Sequence, residues 1–491
     1  MVVSPVENYF FNQKAYADGL SQENLPPATI GNRQASLYVK VSPPVLTTTA
    51  QATSTAAAQN AYMQFRLFDA NNNQTIQHVT YQITVTRGTS SSTREKPLLL
   101  DFFHAHNGLL TLKIEPKNGA LTIFGEQDPF LQAWVADPGG NILVRGPLLL
   151  QGGLYHFHIE IFSIDNDRNI FIPAQAPKFD AYLSVGDVYH NIWNYQGQNY
   201  NTTLISYYDK INNLKFASSK PMFTWSMPFD YNISRINQQP IFVHEEMRLP
   251  KSWKGFGDLN QFNATVDGQQ LSGRSLAIDP FSFPNDMIVH FLVNKNDIIE
   301  IAQEINSNSN NSAAAGITKT NTTGLMKFAL SPLNATTQIA TSSDIPTNTG
   351  SIHAAVSWSP NPLAANTQST LKISFYDPTA TAPLTNTDVR YNLIIFDKNN
   401  QPVITKQNLL AKNAADIETI VFPANEIYHM QVQITGLVKP GQTPDLTRNG
   451  VATGYVIVPE FNSAAISTSL ILGVILAGLL ARKSIFRGLI K

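Results

Sequence analysis

Four segments of this chain occur twice, in the same order. Residues 38–46 (YVKVSPPVL) match 355–363 (AVSWSPNPL), and 65–69 (FRLFD) match 373–377 (ISFYD). Residues 79–85 (VTYQITV) match 389–395 (VRYNLII), and 153–161 (GLYHFHIEI) match 426–434 (EIYHMQVQI). An ordered set of this kind marks an internal repeat of one structural unit. Each segment alternates apolar and polar residues, the period of a half-buried strand. Tyr391, Leu393 and Ile395, for example, share one face. Turn formers lie between the segments, at 137–140 (DPGG), 397–400 (DKNN) and 439–441 (KPG). Short strands with frequent turns, in units of about 100–130 residues, specify immunoglobulin-like β-sandwiches. In both copies a tyrosine, Tyr155 or Tyr428, precedes a histidine on the last matched strand. It is placed to make a corner contact with nearby backbone.

The repeat divides the chain. Residues 1–34 read as an N-terminal extension, 35–173 as the first sandwich and 351–458 as the second. Residues 47–60 form a polar loop inside the first sandwich. Residues 174–305 form a distinct, aromatic, β-rich middle domain with a hairpin turn at Asp267-Gly268. It ends in a helix over residues 297–305, capped by Asn296 or Asp297. Residues 306–350, rich in Asn, Ser and Thr, read as a linker with a docked strand around Leu325 to Leu330. The tail is 459–491.

The 491 residues contain no cysteine, which excludes disulfides, thiolate chemistry and Cys-ligated clusters. Charged residues make up 14% and the net charge is −1, so there is no basic footprint for nucleic acid. Asn, Gln, Ser and Thr must therefore make the surface polar. Sequons beginning at Asn73, Asn201, Asn232, Asn263, Asn310, Asn321 and Asn334 are candidate glycosylation sites on an exposed protein.

The tail carries an uncharged run over 463–481, followed by Arg482, Lys483, Arg487 and Lys491. At 1.5 Å per residue this run matches a hydrocarbon core of about 30 Å, and the one-sided basic flank directs the C-terminus to the cytoplasm. Ser469, Gly473, Ala477 and Ala481 recur every four residues, a stripe that allows close helix contact. Pro459-Glu460-Phe461 ahead of the apolar run and basic end resembles the PEF-type sorting tails of archaeal surface proteins. The PEFG variant of thaumarchaea is most similar, with Asn462 where that pattern has Gly. The segment order resembles an uncharacterised group of such proteins across most of the chain. The resemblance implies an archaeal cell-surface protein and supplies no activity. Ala15-Tyr16-Ala17 has the form of a signal-cleavage site without an apolar core before it, so an upstream start is expected.

Two histidine pairs, His104/His106 and His156/His158 with Glu160, have i, i+2 spacing and each would face one side of a strand. On adjacent strands they would offer four imidazoles and a carboxylate, a set suited to copper or zinc. Asp165, Asp167 and Asn169 have the D-x-D-x-N spacing that opens calcium loops. Ile170 and Ala176 stand where an EF-hand needs Gly and Glu, so an EF-hand is excluded. His244-Glu245-Glu246 lacks the second histidine of a zincin, and no catalytic motif is found. Trp193, Tyr195, Tyr207, Tyr208, Trp225 and Trp253 are either core or a sugar-binding face. The expected molecule is a mainly β, multi-domain protein of immunoglobulin-like β-sandwiches on a single C-terminal transmembrane helix. Its expected role is structural or recognition work in the cell envelope, S-layer-associated or as partner of a membrane complex. The alternatives are a copper- or zinc-binding accessory protein and a surface carbohydrate-binding module.

Overall fold

Period-2 alternation passes directly into burial. Along Gly153–Ser163 buried and half-buried residues alternate without a break, with Tyr155, Phe157, Ile159 and Ile161 turned into the core. A computed structural model of the chain describes residues 21–46, 61–87, 97–238, 241–254, 256, 262–271, 275–280, 282–314, 324–332, 341, 343–377 and 382–459. The described protein is mainly β, with its strands gathered in five sheets. The expected membrane helix over 463–481 and the cleavage-like site at 15–17 lie outside the described residues. Among the described residues no helix is long and apolar enough to cross a membrane.

The second sandwich is the simpler one. Asp344–Pro346, His353–Ser359, Gln368–Tyr376 and Ala415–Val421 form one sheet. Pro402–Ala411, Asp388–Phe396, Ile427–Val438 and Gly450–Ile457 form the other. This order fits an immunoglobulin-like sandwich.

The first sandwich repeats that arrangement residue for residue at its centre. Val39 faces Phe65 across one sheet, as Val356 faces Ile373. In the other sheet Tyr81 faces Ile161, Ile83 faces Ile159 and Val85 faces Phe157. Their counterparts are Tyr391 with Ile434, Leu393 with Val432, and Ile395 with Met430. A slip of one residue would turn every core side chain outward, so a shared register means that both copies solve the same packing problem.

The corner contact is present in both copies. Tyr155 donates its hydroxyl to the Gln151 carbonyl at 2.6 Å, and Tyr428 donates to the Ala424 carbonyl at 2.8 Å. Tyr428 Oη also accepts the Ala424 N–H at 2.9 Å. Tyr428→Phe keeps the ring and leaves these backbone groups unpaired. We expect it to cost about 1 kcal/mol in chemical denaturation. An unchanged midpoint would show the corner to be energetically idle.

Three boundaries differ from the sequence reading. Gln22–Asn24 pairs with Arg33–Ser42, so residues from 22 onward belong to the first sandwich rather than to an extension. Lys178–Tyr195 is a single 18-residue strand. Its first half closes the first sandwich on Gly153–Ser163, and its second half pairs with Gln198–Ser206 in the middle domain. Consequently Phe179, Ala181, Leu183 and Val185 sit in the first core. Third, the stretch expected as linker is largely built into the fold. The helix Lys295–Ala314 runs into it, and Leu325–Pro332 is the central strand of the second middle-domain sheet. Met326, Phe328 and Leu330 alternate into that core. The helix is capped by Asn294, not Asn296 or Asp297. Asn294 Oδ1 accepts the Asp297 N–H at 3.2 Å, and Asp297 Oδ2 accepts the Asn294 N–H at 3.2 Å, a reciprocal capping pair.

Candidate metal centre

The outer face of the first sandwich presents the alternate residues of three adjacent strands. Leu99–Ala105, Val79–Arg87 and Gly153–Ser163 lie side by side in that order. Thr80 faces His104 on one side and Ser163 on the other. His104 belongs to this outer face yet is only 1% exposed, because the crossover after Ser163 lies over it.

Three segments meet there. The turn after Leu99–Ala105 carries His106 and then Gly108 at φ +73°, where a Cβ would sit 1.8 Å from the Ile76 carbonyl oxygen. Only glycine permits this approach. The close contact brings His78, itself at φ 49°, alongside the turn. The His78 N–H then donates to the His106 carbonyl at 2.9 Å. The crossover is tied to the same loop by the Asp165 N–H, which donates to the Gln77 carbonyl at 2.8 Å. Asp167 is thereby turned toward the histidines.

Four donor atoms converge as a result, all within 4.8 Å of one another, from His78, His104, His106 and Asp167. Asp167 Oδ1 lies 2.9 Å from His78 Nδ1 and 3.3 Å from His104 Nε2. His106 Nδ1 lies 3.2 Å from His104 Nε2 and 3.4 Å from His78 Nδ1. Donors about 2.0–2.1 Å from a tetrahedral zinc stand about 3.3 Å apart. Four of the six separations, at 2.9–3.4 Å, are therefore close to the edges of such a shell, and the other two lie within 4.8 Å. Three imidazoles and one carboxylate suit zinc or copper(II).

The protonation states also suit a cation. Burial lowers the His104 pKa, and the neighbouring His106 and His78 lower it further against the opposing pull of Asp167, so the neutral ligand form is favoured. Burial alone would raise the Asp167 pKa. The His78 hydrogen bond and the three imidazoles together outweigh it, and the net shift is downward, toward carboxylate. Behind the site, His104 Nδ1 lies 2.8 Å from Thr80 Oγ1, and Ser163 Oγ donates to that oxygen at 2.7 Å. This fully buried pair fixes which nitrogen of His104 faces the centre.

The expected ligand set is thus corrected. His104 and His106 are in the centre, but His156, His158 and Glu160 are not. The Val79–Arg87 strand lies between the two histidine-bearing strands, and the pairs are offset by four positions, since Thr84 rather than Thr80 faces His158. That offset is about 13 Å along the strand. His156 and His158 both bind Asp180 Oδ1, at 2.8 and 2.9 Å, and Glu160 binds Lys178 at 2.9 Å. These are cross-strand pairs on an open sheet face, and the Lys178 ammonium disfavours a cation. The expected calcium loop is corrected too. Asp165 pairs with Arg33, Asp167 joins the histidines and Asn169 is exposed, so the three do not converge.

His78 escaped the sequence reading. It lies 26 positions before His104 in no motif, and its left-handed turn is a tertiary feature. The second sandwich supplies an internal control. There Val389 faces Ala411, as Val79 faces Ala105, so Asp388, Leu410 and Lys412 stand at the positions of His78, His104 and His106. The imidazoles are therefore no requirement of the fold.

The other candidates resolve into structure. Trp225 and Trp253 are buried, Tyr207 and Tyr208 likewise, and Trp193 and Tyr195 pack against the middle core. The aromatic set is a core, not a sugar-binding face. Glu245 binds Ser206, while Glu246 meets Arg248 and Tyr207 on the opposite face. His244 Nε2 and His290 Nδ1 lie 3.2 Å apart in the buried sheet, and burial holds His290 down at about 4.

Fold and centre together define a multi-domain β-sandwich protein with one four-donor cluster among its described residues. No known family model matches the chain, and no curated protein matches it. Among solved structures it is similar to dimeric latent PorU from Porphyromonas gingivalis, at 8% identity over 80% of this chain and 31% of that one, with a TM-score of 0.14. It is also similar to a Salmonella alpha-2-macroglobulin mutant, at 6% identity over 88% of this chain and 33% of that one, with a TM-score of 0.17. The chain spans about a third of the length of these two.

Proposed function

We propose that this is an extracytoplasmic β-sandwich protein of the cell envelope whose first sandwich binds one zinc or copper(II) ion. Its role is structural or recognition, and the uncharged run over 463–481 attaches it to the membrane with its basic end in the cytoplasm. The observation that carries the metal reading is the convergence of His78, His104, His106 and Asp167. Four protein donors fill a tetrahedral shell, the condition of a structural ion, whereas catalytic zinc keeps a position open. With no cysteine in the chain, its hydrophobic cores rather than disulfides hold it.

The test is metal titration of the full chain in detergent, followed by dialysis and elemental mass spectrometry. One zinc or copper per chain is expected. A chain that retains neither, after exposure to micromolar metal, would remove the metal reading and leave a scaffold alone.

A further inference from the structure

We propose that the ion acts as a clasp, holding the crossover of residues 164–177 down on the outer face of the first sandwich. This rests on the metal reading above. Three of the four donors belong to parts of the fold already tied together. His104 lies within the strand Leu99–Ala105 and its own carbonyl accepts the Ala136 N–H at 2.9 Å, and His106 and His78 share a backbone hydrogen bond. Asp167 alone comes from the crossover.

The crossover itself is lightly held. It is anchored near its ends, by Ile164 in the first core and by the Ile161 N–H bond to the Pro177 carbonyl, and Phe171 packs against that core. Over residues 165–170, besides Asp167, its ties to the rest of the fold are the Arg33–Asp165 ion pair, the Asp165 N–H bond to the Gln77 carbonyl and the bridge between Ile170 and Ser163. Arg168, Asn169, Ile170 and Ile172 are exposed, the last at 63%. Segments with few buried contacts open locally at low free-energy cost. A ligand that binds only the closed form at 100 times its Kd shifts such an opening by about 100-fold. The ion thus converts a weak loop into a fixed one. It does so immediately before Lys178–Tyr195, the strand shared by the first and middle domains.

Arg168 makes this testable, since trypsin cuts after it, next to the ligand Asp167. The full chain is digested with zinc at saturation and with chelator, and cleavage at exposed Lys398 in the second sandwich serves as internal control. We expect zinc to slow cleavage at Arg168 at least tenfold while Lys398 is cut at an unchanged rate. Asp167→Asn, which leaves the three imidazoles, should still take up zinc at high concentration but lose the protection. Zinc bound to the wild type with no change at Arg168 would overturn the clasp and leave the metal reading standing. A chain that binds neither zinc nor copper(II) would overturn both.

Discussion

His104→Ala should abolish retention of the ion, with metal affinity falling by at least 100-fold. Removal of an outer partner of a metal-bound histidine typically costs 10–100-fold, and loss of the ligand itself costs more. His104 is also the best fixed of the four donors, buried and held from behind by Thr80 and Ser163. Because the substitution opens a small cavity, His78→Ala serves beside it. That side chain is 37% exposed and leaves little void. Both variants should keep the wild-type far-ultraviolet circular dichroism and lose the metal. Retention of one ion per chain in both would place any metal elsewhere.

Phe328→Ala should destabilise the middle domain by about 3–5 kcal/mol, the range for a buried aromatic truncated to a methyl group. Phe328 is 2% exposed. Its ring stacks on Trp225 at 5.2 Å and 3° and meets Phe291 edge-on at 5.8 Å. Its strand is hydrogen-bonded on both sides, to Met222–Pro228 and to Phe262–Val266. A linker residue would cost almost nothing. Urea denaturation followed by tryptophan fluorescence separates the two, since Trp225 reports on the same core. A loss below about 1 kcal/mol would mean that residues 324–332 are not integral to the domain.

The sequence reading places a docked strand around Leu325 to Leu330, which the structure contains, but the polar stretch around it hides its central place in the sheet. Composition over 306–350 is dominated by Asn, Ser, Thr and Ala, and only Met326, Phe328 and Leu330 carry the alternation. Five residues of pattern suffice for a strand when two neighbours complete it, but the neighbours lie about 60 and 100 positions away. The helix cap was misread for a related reason. Asn294, Asn296 and Asp297, with Lys295 between the first two, can each cap, and the choice depends on where the preceding strand releases the chain.

The amino-acid sequence by itself determined the strand pattern and the repeat, because side-chain alternation is a local property and one face of each strand must be buried. It also determined that no sulfur chemistry holds the chain. It marked His104, His106 and Asp167 as chemically notable, though in two separate sites, one for copper or zinc and one for calcium. Only the tertiary structure decided that these three meet, that His78 joins them and that His156, His158 and Glu160 do not. The reason is sheet order. Spacing within a strand says which face a side chain takes, but not which strand lies beside it or which loop folds over it. Here the intervening Val79–Arg87 strand separated the two histidine pairs, and the crossover after Ser163 brought Asp167 to one of them.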